Sequence, residues 1–363
     1  MADIGRYVAE LDTPVLWVDL DIMENNIACL TEYFRAAGVA WRPHTKGIKI
    51  PAIAHKLLDA GAIGITCAKL SEAEIMAAGG INDILIANEV VGELKVTRLI
   101  NLCRHADIMV SVDDLGNALD ISKTANQAGV RVRVLIELDS GMQRCGLQPG
   151  PNVVEFAQRL TELPGIELAG LMAWEGHVCK IEDEAEKKAQ TLKAVGSLVS
   201  TAELCRKAGI EIPIISCGGT GSFRLTAQIP GITEIQAGGG IFGDVTYRKW
   251  GAGTEFSLFI LATICSHAWP GRAVVDAGRK AMNVEYSMPE VWDCPGAKLV
   301  RMSAEHGILQ LDDATDRLTR VGQKVNLVAG YEDLTVFLYD QLYGVRNGKV
   351  EVIWEIQGRG KLT

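Results

Sequence analysis

The segment Trp41-Arg-Pro-His-Thr-Lys46 carries nitrogen-bearing side chains at alternate positions. In extended backbone this spacing places Arg42, His44 and Lys46 on one face. A lysine that loses hydration beside two potentially cationic groups has a lowered pKa, and its free amine is then a nucleophile toward an aldehyde. An arbitrary lysine after a strand is usually only solvated, but this pattern indicates Schiff-base chemistry at Lys46, with His44 as a second candidate catalytic residue.

Two glycine clusters offer backbone N–H groups to an anion. The first is Ser216-Cys-Gly-Gly-Thr-Gly-Ser222, in which Thr220 and Ser222 add hydroxyl donors, and the second is Gly238-Gly-Gly-Ile-Phe-Gly-Asp244. Glycine lets a backbone approach a phosphate closely, although most glycine-rich turns are only turns. Because the clusters follow the last two predicted strands of a barrel, where phosphate commonly binds, we expect a phosphate site there.

Two further polar segments end predicted strands. Glu137-Leu-Asp-Ser-Gly-Met-Gln-Arg-Cys-Gly146 contains Asp139 and Arg144, which either form a surface ion pair of little value or leave Arg144 facing an electron-rich oxygen in an active-site mouth. The segment Ala173-Trp-Glu-Gly-His177 follows the next strand. His177 alone is as consistent with a hydrogen-bonded core histidine as with a catalytic one.

The elements that must position these groups alternate along the chain. From Pro14 to about Ile241, short β-branched runs alternate with longer segments of helical period, which is the pattern of repeated βα units around a parallel sheet. The predicted strands, close in number to those of a (β/α)8 barrel, are 15–19, 39–42, 63–66, 84–86, 108–110, 132–136, 168–172, 212–215 and 234–236. Predicted helices include 22–37, 71–78 and 184–208.

After about Thr254 the pattern changes to strands without long helices between them. The predicted strands of this part are 256–264, 273–275, 324–328, 335–338 and 350–354. The predicted organisation is therefore an α/β barrel over residues 14–250, followed by a β-rich domain over residues 251–363 on which residues 1–13 pack.

Composition excludes several classes of protein. The net charge of −9 disfavours nucleic-acid binding, and the nine cysteines are never spaced Cys-x-x-Cys, which argues against a disulfide framework or a zinc knuckle. No apolar run approaches the roughly 18 residues of a membrane span, and the N-terminus lacks the pattern of a signal peptide. We expect a cytoplasmic protein whose partner is a small molecule, with no nucleic acid and no membrane.

Several motifs match a known family. They are Pro14 through Asp21, Arg42-Pro-His-Thr-Lys46, Asp139-Ser-Gly-Met-Gln-Arg144 with Gly146, Glu175-Gly-His177, Gly218-Gly-Thr-Gly221 and Tyr339-Asp-Gln-Leu-Tyr343. Together they resemble the D-threonine aldolase and eukaryotic-type D-serine dehydratase family, whose members are alanine racemase-like enzymes that use pyridoxal 5′-phosphate (PLP). The resemblance covers nearly the whole chain. It implies a PLP-binding (β/α)8 TIM barrel followed by a β-domain, in a homodimer whose active sites lie between the barrel of one subunit and the β-domain of the other.

The resemblance also implies roles for particular residues. Lys46 is similar to the lysine that carries PLP as a Schiff base, and Arg144 to the arginine facing the phenolate oxygen of the cofactor. Trp174 stands where relatives often have a tyrosine near the ring. The implied phosphate cradle consists of Gly218, Gly219, Thr220 and Gly221 together with Gly239 and Gly240.

The β-domain departs from the family pattern. Relatives have a His-x-Cys or His-x-Asp pair that binds a divalent metal near the β-hydroxyl of the substrate, and this chain has Tyr331-Glu-Asp333 at the matching place. Asp333 can ligate a hard cation, whereas Tyr331 is a poor ligand unless its phenol ionises. Any bound metal is then expected to be Mn²⁺, Mg²⁺ or Ca²⁺. His306 resembles a family histidine and is a further candidate, and Tyr331 is the alternative catalytic acid or base.

The resemblance implies a lyase acting on β-hydroxy D-amino acids. Retro-aldol cleavage to glycine and an aldehyde, as in D-threonine aldolase, is the favoured reaction, because Asp333 matches the aspartate variant of the metal pair. A dehydratase acting on D-serine or 3-hydroxyaspartate is the alternative. More distant alternatives are an amino-acid racemase, which needs a second base such as Tyr331, and a non-catalytic PLP-binding protein, which would lack the β-domain.

Overall fold

A computed structural model describes residues 3–363. The strands of this part of the chain are β1 (Val15–Asp19), β2 (Ala40–Trp41), β3 (Ile65–Cys67), β4 (Asp83–Glu89), β5 (Asp107–Val112), β6 (Val132–Leu138), β7 (Ile166–Ala173), β8 (Ile214–Cys217), β9 (Glu234–Ile235), β10 (Leu258–Trp269), β11 (Arg272–Val275), β12 (Glu290–Val291), β13 (Ala297–Met302), β14 (Gly307–Leu311), β15 (Lys324–Val328), β16 (Gln341–Arg346) and β17 (Lys349–Glu355). The α-helices are α1 (Leu20–Ala37), α2 (Pro51–Asp59), α3 (Leu70–Ala78), α4 (Glu93–Leu102), α5 (Leu115–Ala128), α6 (Pro151–Thr161), α7 (Glu184–Lys207), α8 (Phe223–Thr226), α9 (Val245–Lys249) and α10 (Asp313–Leu318).

Parallel strands form one curved eight-stranded sheet in the order β2-β9-β8-β7-β6-β5-β4-β3. Its two edges meet, because the Ile63 amide donates a hydrogen bond to the Trp41 carbonyl (2.9 Å) and the Thr66 amide donates to the Pro43 carbonyl (2.9 Å). Helices connect successive strands, as the alternating pattern predicted. The prediction of a (β/α)8-type barrel with a separate β-rich part is confirmed.

The barrel strands are buried on both faces, which explains their nearly continuous apolar sequences. An interior layer consists of Leu85, Met109, Leu135, Ala169 and Met172, all at most 5% exposed. Fully burying a leucine or methionine side chain contributes about 1.5–3 kcal/mol. These side chains fill the interior of the barrel, so a reactive site has to lie at the ends of the strands.

Strand β1 does not belong to the barrel, and this corrects the assignment of residues 15–19. It pairs antiparallel with β10 and parallel with β16, in a nine-stranded mixed sheet. Trp17 stacks on Phe259 at 4.8 Å within the core of this second sheet. An apolar run followed by a helix fits either sheet equally well, because periodicity does not encode the partner strand.

The predicted strand 335–338 is also wrong. Residues Glu332–Leu334 and Val336–Leu338 form 3-10 helices, in which the Thr335 amide donates to the Glu332 carbonyl (2.9 Å). The Thr335 hydroxyl donates to the Tyr331 carbonyl (2.8 Å), which stabilises the turn. β-branched composition favoured a strand here, and local side-chain bonding outweighs that preference.

The described residues form two compact units that are discontinuous in sequence. One contains residues 3–30, 47–50 and 239–360, and the other contains residues 31–46, 51–238 and 361–363. The predicted division at residue 250 followed chain order, whereas the N-terminal strand and the short segment 47–50 group with the mixed sheet. None of the helices in the described part of the chain is long and apolar enough to cross a membrane.

Candidate active site

Lys46 follows β2 at the carboxyl end of the barrel strands, where barrel enzymes place their reactive groups. The segment runs beside β3, because His44 forms a parallel bridge with Thr66. Thr45 is buried, and its hydroxyl donates to the Thr66 carbonyl (3.0 Å) and the Glu72 carboxylate (3.2 Å). The Lys46 amide donates to His44 Nδ1 (3.3 Å). The buried bonds of Thr45 therefore fix the backbone that carries Lys46 and His44.

Arg42 points elsewhere, and this corrects the prediction that it shares a dehydrated face with Lys46. Its side chain is 3% exposed and pairs with Asp83 (2.6 Å) and Glu234 (3.1 Å). Each of these carboxylates belongs to the first residue of a barrel strand, so the guanidinium lies toward the amino ends of the strands. Because two carboxylates neutralise its charge, Arg42 is not the cationic neighbour assumed for the Lys46 amine.

The loop after β8 is organised around the carboxylate of Glu175, which is 0% exposed. Oε1 of Glu175 accepts hydrogen bonds from Ser222 Oγ (2.6 Å) and Thr226 Oγ1 (2.6 Å), and Oε2 accepts one from the Gly218 amide (3.2 Å). Ser222, whose hydroxyl was predicted to face a phosphate, is directed at Glu175 instead. Gly218 has φ +78°, a conformation that favours glycine.

Trp174 and Gly219 form one wall of this loop. A Cβ atom at Gly219 would overlap the indole ring of Trp174, so the absence of a side chain permits the contact. Thr220 is 4% exposed. Gly221 is buried, and no described residue accepts a hydrogen bond from its amide. A buried N–H without an acceptor is rare in proteins, so Gly221 is the donor of this loop that an anion would satisfy.

The charge of Lys46 acts on the 3-10 helix Gly176–Lys180, which follows β7. Burial and the Glu175 carboxylate raise the pKa of the Cys179 thiol, the charges of Lys187 and Lys46 lower it, and the net pKa is about 12. The ends of β2 and β7 therefore share one electrostatic environment. Cys179 stays a neutral thiol in it.

Arg144 pairs with Glu137 at 3.3 Å rather than with Asp139. Glu137 is 3% exposed, and Arg144 is half-exposed. Burial, and then the neighbouring Glu89 carboxylate, raise the pKa of Glu137 to about 8 against the opposing effect of Arg144. Asp139 instead accepts hydrogen bonds from the backbone amides of Gly141 (2.9 Å) and Gln143 (3.0 Å). Arg144 is thus held by a buried carboxyl at the mouth of the barrel.

The same mouth contains buried polar atoms that lack hydrogen-bond partners among the described residues. They include Nδ1 of His177, Oγ of Ser140 and Oε1 of Glu89. The His177 ring lies against the backbone of Gly141, where a Cβ atom would come within 2.8 Å of it. Unsatisfied buried groups are few in native proteins, and several of them at one end of a barrel indicate a ligand site.

Tyr331 and Asp333 lie in the other compact unit. The Tyr331 hydroxyl donates to Asp333 Oδ2 (2.6 Å), and the Tyr247 hydroxyl donates to the same oxygen (3.3 Å). The two residues lie at the start of a 3-10 helix, and the turn brings their side chains together. Burial and the Asp333 charge raise the pKa of Tyr331 far above its ordinary value, so the phenol stays protonated.

Gly239 belongs to this second unit as well, where a Cβ atom would overlap Glu332 and Tyr247. Gly240, the next residue, is buried. A side chain at Gly47, the residue after Lys46 in the chain, would collide with the carboxylates of Glu332 and Asp333. The glycine at position 47 is thus required by close packing against these carboxylates.

Sequence reasoning gave no role to four buried or half-buried carboxyl residues, namely Glu89, Glu137, Glu175 and Glu332. Each is at most part-exposed, although the surrounding sequence is apolar or glycine-rich. Glu89 and Glu137 stand at or near the ends of the buried strands β4 and β6, and that placement is the signal that was available. An acidic residue closing an apolar strand is unusual unless it is paired.

Two family models cover most of the chain. Residues 18–246 match the alanine racemase N-terminal domain, and residues 257–345 match a putative serine dehydratase domain. The chain is also 39% identical to the D-threonine aldolase of an Arthrobacter species, over 99% of this chain and 96% of that protein. The chain belongs to the D-threonine aldolase and D-serine dehydratase family. The membership predicted from the motifs is confirmed.

Other proteins similar to this chain are named for related reactions. The chain is 35% identical to the 3-hydroxy-D-aspartate aldolase of Paracoccus denitrificans strain Pd 1222, with 98% of this chain and 94% of that protein covered. It is 32% identical to the D-threo-3-hydroxyaspartate dehydratase of Delftia sp. strain HT23, with 84% of each covered. The crystal structure of D-threonine aldolase from Filomicrobium marinum superimposes with a TM-score of 0.96 at 35% identity, over 99% of both chains.

The family implies PLP, and the barrel residues of this member fit that cofactor. Lys46 supplies an amine, the Glu175-held loop supplies a buried amide without an acceptor at Gly221, and Arg144 supplies a cation. A divalent cation fits less well. Asp333 Oδ2 accepts bonds from two tyrosine hydroxyls, and no group of three or more His, Cys, Asp or Glu side chains among residues 3–363 is arranged to hold a metal.

Proposed function

We propose that this protein is a PLP-dependent lyase that cleaves β-hydroxy D-amino acids to glycine and an aldehyde. The observation that carries the proposal is the clustering of Lys46, Arg144 and the Glu175-held glycine loop at the carboxyl ends of the barrel strands. Full-length similarity to a D-threonine aldolase at 39% identity supports the substrate class.

Each barrel residue has a task in this proposal. Lys46 Nζ is the group that holds the cofactor, with His44 beside it on the segment that Thr45 fixes, and the loop from Gly218 to Gly221 binds the phosphate. Arg144 would supply positive charge to the phenolate oxygen of the cofactor, and Trp174 supports the loop. When bound, PLP supplies an aromatic ring that accepts the electrons of the bond broken at Cα.

We assign proton transfer at the β-hydroxyl of the substrate to Tyr331 and Asp333. As Tyr331 Oη takes the proton of the hydroxyl, its own proton passes to Asp333 Oδ2, 2.6 Å away. No net charge then remains on the buried phenol, which burial disfavours. This route uses the two residues without a metal ion between them.

The alternative is a dehydratase, favoured by the match of residues 257–345 to a serine dehydratase domain and by the Delftia relative. The products separate the two reactions. Purified PLP-loaded protein should convert D-threonine to equimolar glycine and acetaldehyde without ammonia. Release of ammonia and a keto acid from D-serine, D-threonine or 3-hydroxyaspartate, without glycine, would establish the dehydratase instead.

Metal dependence is tested by chelation. We expect activity to survive exhaustive EDTA treatment, and Tyr331→Phe to lower kcat by about 10²-fold or more, which is the usual scale for a positioned proton-transfer group. Loss of activity in EDTA with recovery in Mn²⁺ or Mg²⁺, together with a small effect of Tyr331→Phe, would instead make Asp333 a metal ligand. Asp333→Asn, measured with and without added Mn²⁺, separates the two roles of that residue.

We also propose a homodimer, on the family resemblance. Light scattering of the purified protein should give twice the mass of the chain. A monomer with full activity would contradict this. A cytoplasmic location stays a prediction.

A further inference from the structure

We propose that Glu175 is a positioning residue that gives the barrel its affinity for the phosphate group of the cofactor, by holding the loop after β8 in its binding conformation. The inference rests on the proposed function, since it assumes a phosphate-bearing cofactor. It concerns a fully buried carboxylate that accepts hydrogen bonds from one amide and two hydroxyl groups.

The contacts of Glu175 tie together the whole loop. Its carboxylate accepts hydrogen bonds from Gly218 at the start of the loop (3.2 Å), from Ser222 at its end (2.6 Å) and from Thr226 in α8 (2.6 Å). Ser222 Oγ in turn accepts a hydrogen bond from the Gly219 amide (3.2 Å). One side chain therefore sets the path of the backbone from residue 218 to residue 226.

A carboxylate suits this task because it only accepts hydrogen bonds. Three donors converge on its two oxygens, and a carboxylate has lone pairs for all of them. A glutamine of the same shape has one oxygen and one NH₂ group, so at least one of the three donors would meet another donor. The loop would have to shift to relieve that conflict.

The loop also contains a donor that the protein leaves unused. The amide of the buried Gly221 has no acceptor among the described residues, while the amides of Gly218 and Gly219 are committed to Glu175 and Ser222. The pattern separates two sets of donors, one that shapes the loop and one that is left for an anion. This second observation points to a ligand with terminal oxygens, which the phosphate of PLP supplies.

Affinity for paired ligands tests the inference without using turnover. Pyridoxamine 5′-phosphate and pyridoxamine differ only in the phosphate, and neither forms a covalent bond with Lys46. Their dissociation constants are measured by calorimetry on cofactor-free wild type, Glu175→Gln and Glu234→Gln. Glu234 provides the matched control, since it is a buried glutamate at the opposite end of the same barrel.

We expect Glu175→Gln to weaken the binding of pyridoxamine 5′-phosphate by about 10- to 100-fold, which is the scale for one buried donor that loses its acceptor. The affinity for pyridoxamine should stay within about threefold of wild type. Glu234→Gln should affect neither ligand selectively. Equal losses for both ligands, or no loss for either, would overturn the inference. If wild type binds neither ligand, the proposed function fails instead.

A milder variant covers the case in which Glu175→Gln does not fold. Thr226→Val removes one donor to Glu175 Oε1 and keeps both the volume and the carboxylate. It should give a smaller loss that is again confined to the phosphorylated ligand. Thr226→Val with wild-type affinity for both ligands, at an unchanged circular-dichroism spectrum, would count against the role of Glu175.

Discussion

The two ends of the barrel differ in whether their polar and charged groups have partners. At the amino ends of the strands, Arg42 pairs with Asp83 and Glu234, and Arg133 pairs with Asp83 (3.4 Å) and Asp107 (2.7 Å). Every charge in this network has an opposite partner. Such an arrangement is stable but has no group left over for a ligand.

At the carboxyl ends, by contrast, buried polar atoms are left without hydrogen-bond partners in the described part of the chain. They are Glu89 Oε1, Ser140 Oγ, His177 Nδ1 and the Gly221 amide. Leaving such a group unpaired costs about 1–3 kcal/mol, which a protein tolerates where a ligand or reaction repays it. The amino ends are thus arranged for stability and the carboxyl ends for chemistry.

The largest expected effect follows from Lys46→Ala at the carboxyl end. We predict loss of the visible absorbance of the bound cofactor and a fall in turnover of about 10³-fold or more, as expected when the residue that forms the covalent link is removed. The thermal midpoint of the cofactor-free protein should change far less than in Arg42→Met. An unchanged absorbance spectrum would show that Lys46 is not the attachment site.

Arg42→Met at the amino end should instead lower stability and leave cofactor binding nearly unchanged. It leaves the buried Glu234 without its cation and leaves Asp83 with only the more distant Arg133, and breaking a buried pair in this way costs about 3–5 kcal/mol. Urea unfolding should report this loss, while the affinity for pyridoxamine 5′-phosphate stays within about threefold of wild type. Adding Glu234→Gln to Arg42→Met should recover part of the stability, and a double variant no more stable than Arg42→Met would contradict the pairing argument.

Glu137→Gln should change how stability at the carboxyl end depends on pH. The pKa of Glu137 rises from 4.5 to about 8 because burial, and then Glu89, disfavour its charged form. The folded state therefore keeps a proton that the unfolded state loses, so wild type loses stability as pH rises from about 4.5 through 8. Glu137→Gln should become more stable relative to wild type across that range. Thermal midpoints that stay parallel between pH 5 and 9 would rule this out.

The smallest effect is expected at an exposed ion pair on the barrel surface. Arg131 pairs with Glu167 at 3.2 Å, and both side chains are largely exposed. Arg131→Ala should change the free energy of unfolding by less than about 1 kcal/mol and leave both cofactor affinity and turnover unchanged. A larger change would mean that surface pairs, and not only the two barrel ends, determine the behaviour of this protein.

The parts of the site that sequence predicted are local in the chain. Lys46, the glycine loop and Arg144 each lie within a few residues of a predicted strand end, and the structure places all three after barrel strands. The eight barrel strands were predictable for the same reason, because each strand has its own apolar run.

What sequence could not predict depends on partners far apart. Arg42 meets residues 41 and 192 positions away, and Glu175 meets residues 43, 47 and 51 positions away. No local pattern shows that one arginine faces the amino ends of the strands while a lysine four residues later lies at the carboxyl ends. Residues 15–19 were assigned to the wrong sheet for the same reason, since tertiary packing determines which strands pair.

We propose that Lys46, at the carboxyl end of the barrel, holds the cofactor. Borohydride reduction of the PLP-loaded protein, followed by proteolysis and mass spectrometry of the peptides, tests it most directly. We predict a pyridoxyl group on Lys46 at one equivalent per chain, and none on Lys49 or Lys180. Modification at another lysine, or none at all, would contradict the account.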